Sequence, residues 1–190
     1  LSPPLFPVDT VMQELCSVLS GHGRAILTAS PGSGKTTRVP LALLGLLPAP
    51  EGQQSTASLF SGKILVLEPR RLAARAAARY MAGILGEKVG QHVGYRVRLE
   101  ARVSDQTRVE LLTEGMFTRR ILGDPELAGV SCVIFDEFHG RSLQADLGLG
   151  LCIDSAAVFR PDLRLLVMSA TLEADALIAF LGQCPVSGPN

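Results

Sequence analysis

Five short runs of almost unbroken apolar residues limit what this chain can fold into: Ala25–Ala29, Ile64–Leu67, Val109–Leu112, Val130–Phe135 and Leu163–Met168. A strand with one wet face alternates apolar and polar side chains, whereas a strand covered on both faces has no reason to alternate. Between and after these runs lie Thr36–Leu47, Leu72–Leu85, Gly115–Leu122, Ser142–Val158 and Ala174–Leu181, each long enough for a helix. Doubly buried strands alternating with helices predict an α/β fold. Its three layers are α/β/α, around a mostly parallel sheet with right-handed crossovers. A length of 190 residues suits one such domain with a well-buried core.

The rest of the chain reads as connection. Asp9 or Thr10 is placed to cap an opening helix that runs through Leu19. Pro48–Gly62 is rich in Pro, Gly, Ser, Gln and Thr and reads as a loop. Val93, Tyr95 and Val97 alternate with Gly94, Arg96 and Arg98, the pattern of a strand with one polar face. Past Leu181 the chain runs out through Gly182, Pro185, Gly188 and Pro189, as a linker would. These features set the expected domain at residues 1–182 and a linker at 183–190. No apolar run approaches the ~20 residues of a membrane span, so no membrane partner is expected. The start at Leu1-Ser2-Pro3-Pro4 carries neither Met nor a basic signal region and reads as a piece of a longer chain. Cys16, Cys132, Cys152 and Cys184 are too scattered for a zinc site or disulfide scaffold. Free thiols point to a reducing compartment, the cytoplasm.

The chemistry begins at Ala29-Ser30-Pro31-Gly32-Ser33-Gly34-Lys35-Thr36, between a strand-like run and a helix. A polyphosphate needs several backbone N–H groups converging at close range, which only residues with little side chain permit, hence Gly32, Ser33 and Gly34. The helix beginning near Lys35 adds its positive end, and Lys35 a point charge. Thr36 places a hydroxyl where Mg²⁺ would sit, and Thr37 follows on the same turn. The general pattern opens with Gly; Ala29 stands there in this chain.

A second signal is the run Val133-Ile134-Phe135 ending in Asp136-Glu137-Phe138-His139. Two acids at a strand tip also read as solvated charges. Following a phosphate loop by 100 residues they acquire specific roles, with Asp136 in the Mg²⁺ shell and Glu137 polarising the attacking water. Ser169-Ala170-Thr171 directly follows an apolar run. Such hydroxyls commonly cap the next helix, and they also stand at the face where a parallel sheet binds ligands.

The formal charge of zero conceals an uneven distribution. Residues 1–69 carry 4 basic and 4 acidic side chains, residues 70–120 carry 11 and 5, and residues 121–190 carry 3 and 9. A basic middle facing a polyanion is one reading, and scattered solvated charge is the other.

Taken in order, GSGKTT (32–37), LEPRRLAAR (67–75), TEGMFTRR (113–120), DEFH (136–139) and SAT (169–171) resemble superfamily 2 helicases of the DEAH type. DEFH with RSLQADL (141–147) after it, together with Ala29 and Glu68, is similar to the bacterial HrpB group within that family. The resemblance covers residues 8–182 and implies a P-loop NTPase, RecA-like domain. It implies that Gly32, Ser33, Gly34, Lys35, Thr36 and Thr37 bind ATP. Thr36, Asp136 and Glu137 would surround Mg²⁺, with Lys35, Asp136, Glu137 and His139 catalytic. Pro69, Arg70, Arg71, Thr113, Glu114 and Gly115 would touch the backbone of single-stranded RNA or DNA. Ser169, Ala170 and Thr171 would couple nucleotide state to strand grip. Because the strand contacts stand on loops other than the phosphate loop, two separate sites are expected. Two positions depart from the pattern: Gly140 replaces a usual Glu, and Tyr80, beside Arg79, stands where relatives stack an Arg on the adenine; Tyr80 either stacks there or packs in the core. The family's motor also needs a second RecA-like domain to supply arginine fingers, so this domain alone is expected to hydrolyse ATP poorly.

Two other classes stand against this reading. A small-molecule kinase shares the phosphate loop but needs an Arg-bearing lid and an acceptor pocket, and the tandem Asp136-Glu137 argues against it. A catalytically silent ATP- or RNA-binding module is the other, opposed by the intact Lys35, Thr36 and Glu137.

Overall fold

The structure, a computed structural model, describes residues 6–47, 58–138 and 142–170 and the backbone of 186–187. The helix expected at Ala174–Leu181 and most of the expected loop at Pro48–Gly62 lie outside those residues.

Eight strands form one sheet: β1 (Arg24–Thr28), β2 (Lys63–Glu68), β3 (Val93–Val97), β4 (Glu100–Arg102), β5 (Val109–Thr113), β6 (Val130–Phe135), β7 (Arg164–Ser169) and β8 (Val186–Ser187). They lie in the order β4-β3-β5-β2-β6-β7-β1-β8. Every pair is parallel except β3 with β4. The helices are α1 (Met12–His22), α2 (Lys35–Leu43), α3 (Arg71–Ile84), α4 (Glu114–Gly123) and α5 (Leu143–Val158).

The unbroken apolar runs are explained by the two cores. Successive side chains of a strand point to opposite faces. Ala25 and Leu27 of β1, with Cys132 and Ile134 of β6, pack with α1, α2 and α3. Ile26, Val133 and Phe135 face the other way, against α4 and α5. A polar residue at any of these positions would be buried without water on either side. The expected three layers are therefore present.

Element ends differ from the sequence reading for local reasons. Helix α2 stops at Leu43, short of the expected Leu47. Gly45 takes φ +65°, and the Leu46 N–H turns back to the Leu41 carbonyl at 2.8 Å, a glycine-terminated helix end. Neither Asp9 nor Thr10 caps α1. Pro7 starts a 3₁₀ turn over Pro7–Val11 instead, as proline at a first helical position favours. Asp9 reaches backward to accept the Phe6 N–H at 2.9 Å, and its other oxygen accepts Arg38 Nε at 2.7 Å. The alternating segment becomes a hairpin, β3 and β4, turning at Arg98 and at Leu99 with φ +67°.

One consequence of topology places everything that follows. Thr28 pairs with Ser169, Leu67 with Phe135, and Glu68 with Thr113. Five parallel strands therefore end along one edge, and the chemistry-bearing residues follow those ends, where open α/β sheets bind ligands.

Candidate nucleotide and nucleic-acid site

The loop after β1 is anchored at its root by the Ala29 N–H, which donates to the Ser169 carbonyl at 3.0 Å. Gly32 and Gly34 take φ +79° and +88°, the left-handed region that strains other residues. At Gly34 space matters as well. A Cβ there would meet Arg38 Cδ at 3.0 Å and the Phe6 ring at 3.1 Å. At Gly32 nothing lies within 4 Å, so the backbone conformation alone calls for glycine. Helix α2 starts at Lys35 and presents its N-terminal end to the loop. Lys35 is buried, and so is Ser33, whose hydroxyl has no partner. Thr37 Oγ1 lies 3.5 Å from the Gly34 carbonyl.

The acids come from β6. The Asp136 N–H donates to the Leu67 carbonyl at 3.1 Å, which fixes the strand tip against β2. Asp136 Oδ2 accepts the Thr36 hydroxyl, and its Oδ1 accepts the Glu137 N–H at 2.8 Å. Glu137 sits at φ +52° and reaches Lys35 Nζ at 3.2 Å. Four expected residues from two loops thus meet at one point.

A fifth group joins them, one to which the motifs assign no role. Glu68 ends β2, is 2% exposed, and has one carboxylate oxygen with no hydrogen-bond partner among the described residues. Burial first, then the charge and hydrogen bonding of Asp136 and the charge of Glu137, push its pKa up to about 9, with Lys35 pulling the other way. Asp136 is also raised, chiefly by burial, against the Thr36 hydroxyl and the Glu137 amide. The signal for Glu68 was present in the sequence: a charge closing the apolar run Ile64–Leu67.

A cavity of about 530 Å³ opens here, and among its lining residues are Thr36, Glu137, Glu68, Pro69, Arg70 and Glu114. The two sites expected to be separate share this cavity, because β2 ends between β5 and β6. Arg70 and Arg71 are exposed, and their side chains have no charged or hydrogen-bonding partner among the described residues. Thr113 opens α4 without capping it. Gly115 is exposed. Glu114 Oε2 accepts the Ser142 hydroxyl at 2.6 Å, and Ser142 Oγ accepts the Ala145 N–H at 3.0 Å to cap α5. Ser142 thereby ties the strand-contact turn to the segment after the acids, a link that spacing alone does not reveal.

A second cavity lies where Arg98 and Leu99 of the hairpin turn face Thr113, Gly115, Met116 and Arg119. Leu99 is 95% exposed, an apolar side chain held out at a positive φ. Arg119 belongs to TEGMFTRR, whereas Arg98 is one cation among many in the basic middle of the chain, with nothing in its spacing to distinguish it. Tyr80 is half exposed, so the core packing considered for it is not found, and Arg79 beside it is exposed. Ser169 is buried at the end of β7 and Ala170 follows it. His139, Gly140 and Thr171 lie outside the described residues.

The donor set suits a small hard cation. Among the described residues no group of three or more His, Cys, Asp or Glu side chains forms a metal cage. Mg²⁺ does not ask for one, since it binds through one or two carboxylates plus waters and phosphate oxygens. The Thr36 hydroxyl against the Asp136 carboxylate, beside the partnerless Glu68 oxygen, fits that habit.

Comparison with known proteins gives a consistent result. Residues 10–179 match the DEAD/DEAH box helicase family. Over 180 residues the chain is 49% identical to the ATP-dependent RNA helicase HrpB of Escherichia coli, covering 95% of this chain and 21% of that protein. It is 35% identical over 187 residues to a probable ATP-dependent RNA helicase DHX40 of Rattus norvegicus, covering 96% of this chain and 23% of that one. The crystal structure of the E. coli DExH-box NTPase HrpB superposes with a TM-score of 0.90 at 46% identity, over 100% of this chain and 22% of that one. The chain thus spans about a fifth of the length of these relatives.

Proposed function

Since the chain belongs to the DEAD/DEAH box helicase family, we propose that it is the nucleotide-binding motor domain of an ATP-dependent helicase or translocase acting on single-stranded nucleic acid. RNA is the first choice, because the similar proteins are named RNA helicases. The observation that carries the reading is the double pairing across two loops, Thr36 with Asp136 and Lys35 with Glu137. Both pairs stand where the phosphate loop and the helix N-terminus converge.

The geometry and the family resemblance together support the following roles. The 32–36 backbone and Lys35 would hold the β- and γ-phosphates. Thr36 and Asp136 would hold Mg²⁺, with Glu137 as an outer neighbour; when bound, the ion neutralises charge on the phosphate oxygens. Glu137 would leave Lys35 as phosphate takes its place and would orient the attacking water as general base. His139, Ser169, Ala170 and Thr171 would pass the change in phosphate state to the strand grip. Pro69, Arg70 and Arg71, with Thr113, Glu114 and Gly115, would grip the nucleic-acid backbone, and the shared cavity supports such coupling. Arg98 and Arg119 extend that surface.

A second RecA-like domain of the same chain would supply arginine fingers. Their usual contribution is a factor of about 10³–10⁵ in rate, so this domain alone would turn over slowly. Within the segment expected as the linker, residues 186–187 instead join the sheet as β8 beside β1. The buried thiols of Cys132 and Cys152 fit a cytoplasmic setting. The test is calorimetric titration with Mg·ATP. Lys35→Ala should weaken binding at least tenfold, and unchanged affinity would remove the phosphate-loop assignment.

A further inference from the structure

A third concave surface lies off the C-terminal edge of the sheet. It is lined by Lys63, Arg96, Glu110, Leu112, Met116, Arg119 and Arg120, with a volume of about 360 Å³. Met116 and Arg119 also line the cavity at the hairpin turn, so the two are continuous along one flank of α4. Antiparallel pairing sets Arg96 of β3 beside Ala101 of β4 on one face of the sheet. The opposite face of this hairpin is closed by Tyr95 and Glu100, with Arg75 of α3 upon Glu100. Arg96 instead emerges toward α4 with 41% of its side chain exposed.

The charges here do not cancel. Four cations stand around one carboxylate. Glu110 is buried and takes Lys63 at 2.8 Å, Arg96 at 3.0 Å and Arg120 at 3.4 Å. Arg119 is exposed and has no charged or hydrogen-bonding partner among the described residues. A purely structural network would need one or two cations on Glu110 and no fourth beside it. The surplus is fixed in place, because the carboxylate holds three long side chains in one orientation.

We infer that this groove is a second phosphate-binding surface, taking the backbone of the single strand after it leaves the turn at Thr113–Gly115 and passes the Arg98–Leu99 hairpin tip. The inference rests on the strand grip proposed above and extends it to Lys63, Arg96 and Glu110, which lie outside every motif, and to Arg119 and Arg120 at the end of TEGMFTRR. Recognition would be of phosphodiester charge and not of bases, since no aromatic side chain lines either cavity. Glu110 stands three residues before Thr113, or about 10 Å along the strand. The groove therefore has room for only one or two further phosphates.

The test is fluorescence anisotropy with labelled oligouridylates of two lengths, one just filling the Arg70–Thr113 grip and one six nucleotides longer. It is run at a temperature where circular dichroism shows each variant folded. For the unaltered chain the longer strand should bind tighter, with a slope of log K against log salt steeper by roughly 0.7–1.4. Lys63→Gln with Arg96→Gln should erase that length advantage and leave the short strand unaffected. Glu110→Gln should enlarge it, because the cations lose their internal anion. Arg119→Lys should retain it, since charge and not fork geometry is used. Arg70→Ala with Arg71→Ala should weaken both lengths alike. Failure of the short strand to bind would remove the grip proposal itself. A short strand that binds, with no length advantage or with one insensitive to Lys63 and Arg96, would overturn the groove alone. Oligoglutamate bound with the same variant dependence, in place of the RNA length effect, would also overturn it and mark a site for an acidic protein segment.

Discussion

Glu68 and Glu110 invite direct comparison. They stand on neighbouring strands, and both are all but sealed from solvent, at 2% and 1% exposure. Burial pulls both carboxyls upward, yet they end on opposite sides of the ordinary value. Glu110 is held below it by Lys63, Arg96 and Arg120. Glu68, facing Asp136 and Glu137, is driven far above it. Depth in the protein does not decide the state of a carboxyl; the company it keeps does. At Glu110 the fold has answered the charge from within. At the C-terminal edge three carboxyl groups share one buried lysine, and the imbalance is left for a ligand to answer. A domain that stabilises all its charges internally has no site, and one that leaves them all unanswered has no fold.

If the edge is the region reserved for chemistry, its largest effect should be on rate. Glu137→Gln should lower single-turnover hydrolysis by about 10²–10⁴-fold, the usual contribution of a positioned general base. Mg·ATP should bind at least as tightly, because the carboxylate paired with Lys35 no longer competes with phosphate. Hydrolysis within threefold of the unaltered chain would make Glu137 a mere counter-ion of Lys35.

The second prediction exchanges rate for stability. Removing one partner of a fully buried ion pair typically costs about 3–5 kcal/mol. Lys63, Arg96 and Arg120 keep 26–41% of their side-chain exposure, so water recovers part of that. Glu110→Ala should therefore lower unfolding stability by about 2–3 kcal/mol in urea titrations. A loss below about 0.5 kcal/mol would place it among neutral surface changes and erase the contrast between the two glutamates.

The third and smallest effect concerns pH. A carboxyl whose folded pKa is near 9, against 4.5 for the free group, keeps its proton in the folded protein after the unfolded chain has lost it. Stability from this group is thus full below about 4.5 and falls as pH rises toward 9. Glu68→Gln should flatten that decline and leave the nucleotide-free domain more stable than the unaltered chain at pH 8. Thermal melts from pH 5 to 9 would read this directly. An unaltered pH profile would mean that Glu68 does not hold the proton in the folded protein.

The sequence revealed some parts of this molecule far more readily than others, and the reason is range. The strands were legible because a doubly buried strand must be apolar at every position. The phosphate loop was legible because Gly32 and Gly34 answer to local backbone demands. Asp136 and Glu137 needed the loop to give them meaning. Glu68 was visible as a charge at the end of an apolar run, yet its role depends on which strand lies beside β2. Glu110 interrupts such a run as well, and its three cations come from β2, β3 and α4. The Ser142 hydrogen bond to Glu114 spans 28 residues. Interactions of that kind are properties of the register and the crossovers, and a residue's own neighbours in the chain carry no trace of them.

The Phe6 ring behind Gly34 has a mechanical meaning. Arg38 lies over that ring at 5.0 Å and is held by Asp9, while the Val8 N–H reaches the Ser33 carbonyl at 3.3 Å. The 3₁₀ turn therefore braces the loop after β1 through Phe6, Val8 and Arg38. A loop braced in this way resists recoil. Trimming the protein to begin at α1 would leave every motif intact and remove the brace they push against.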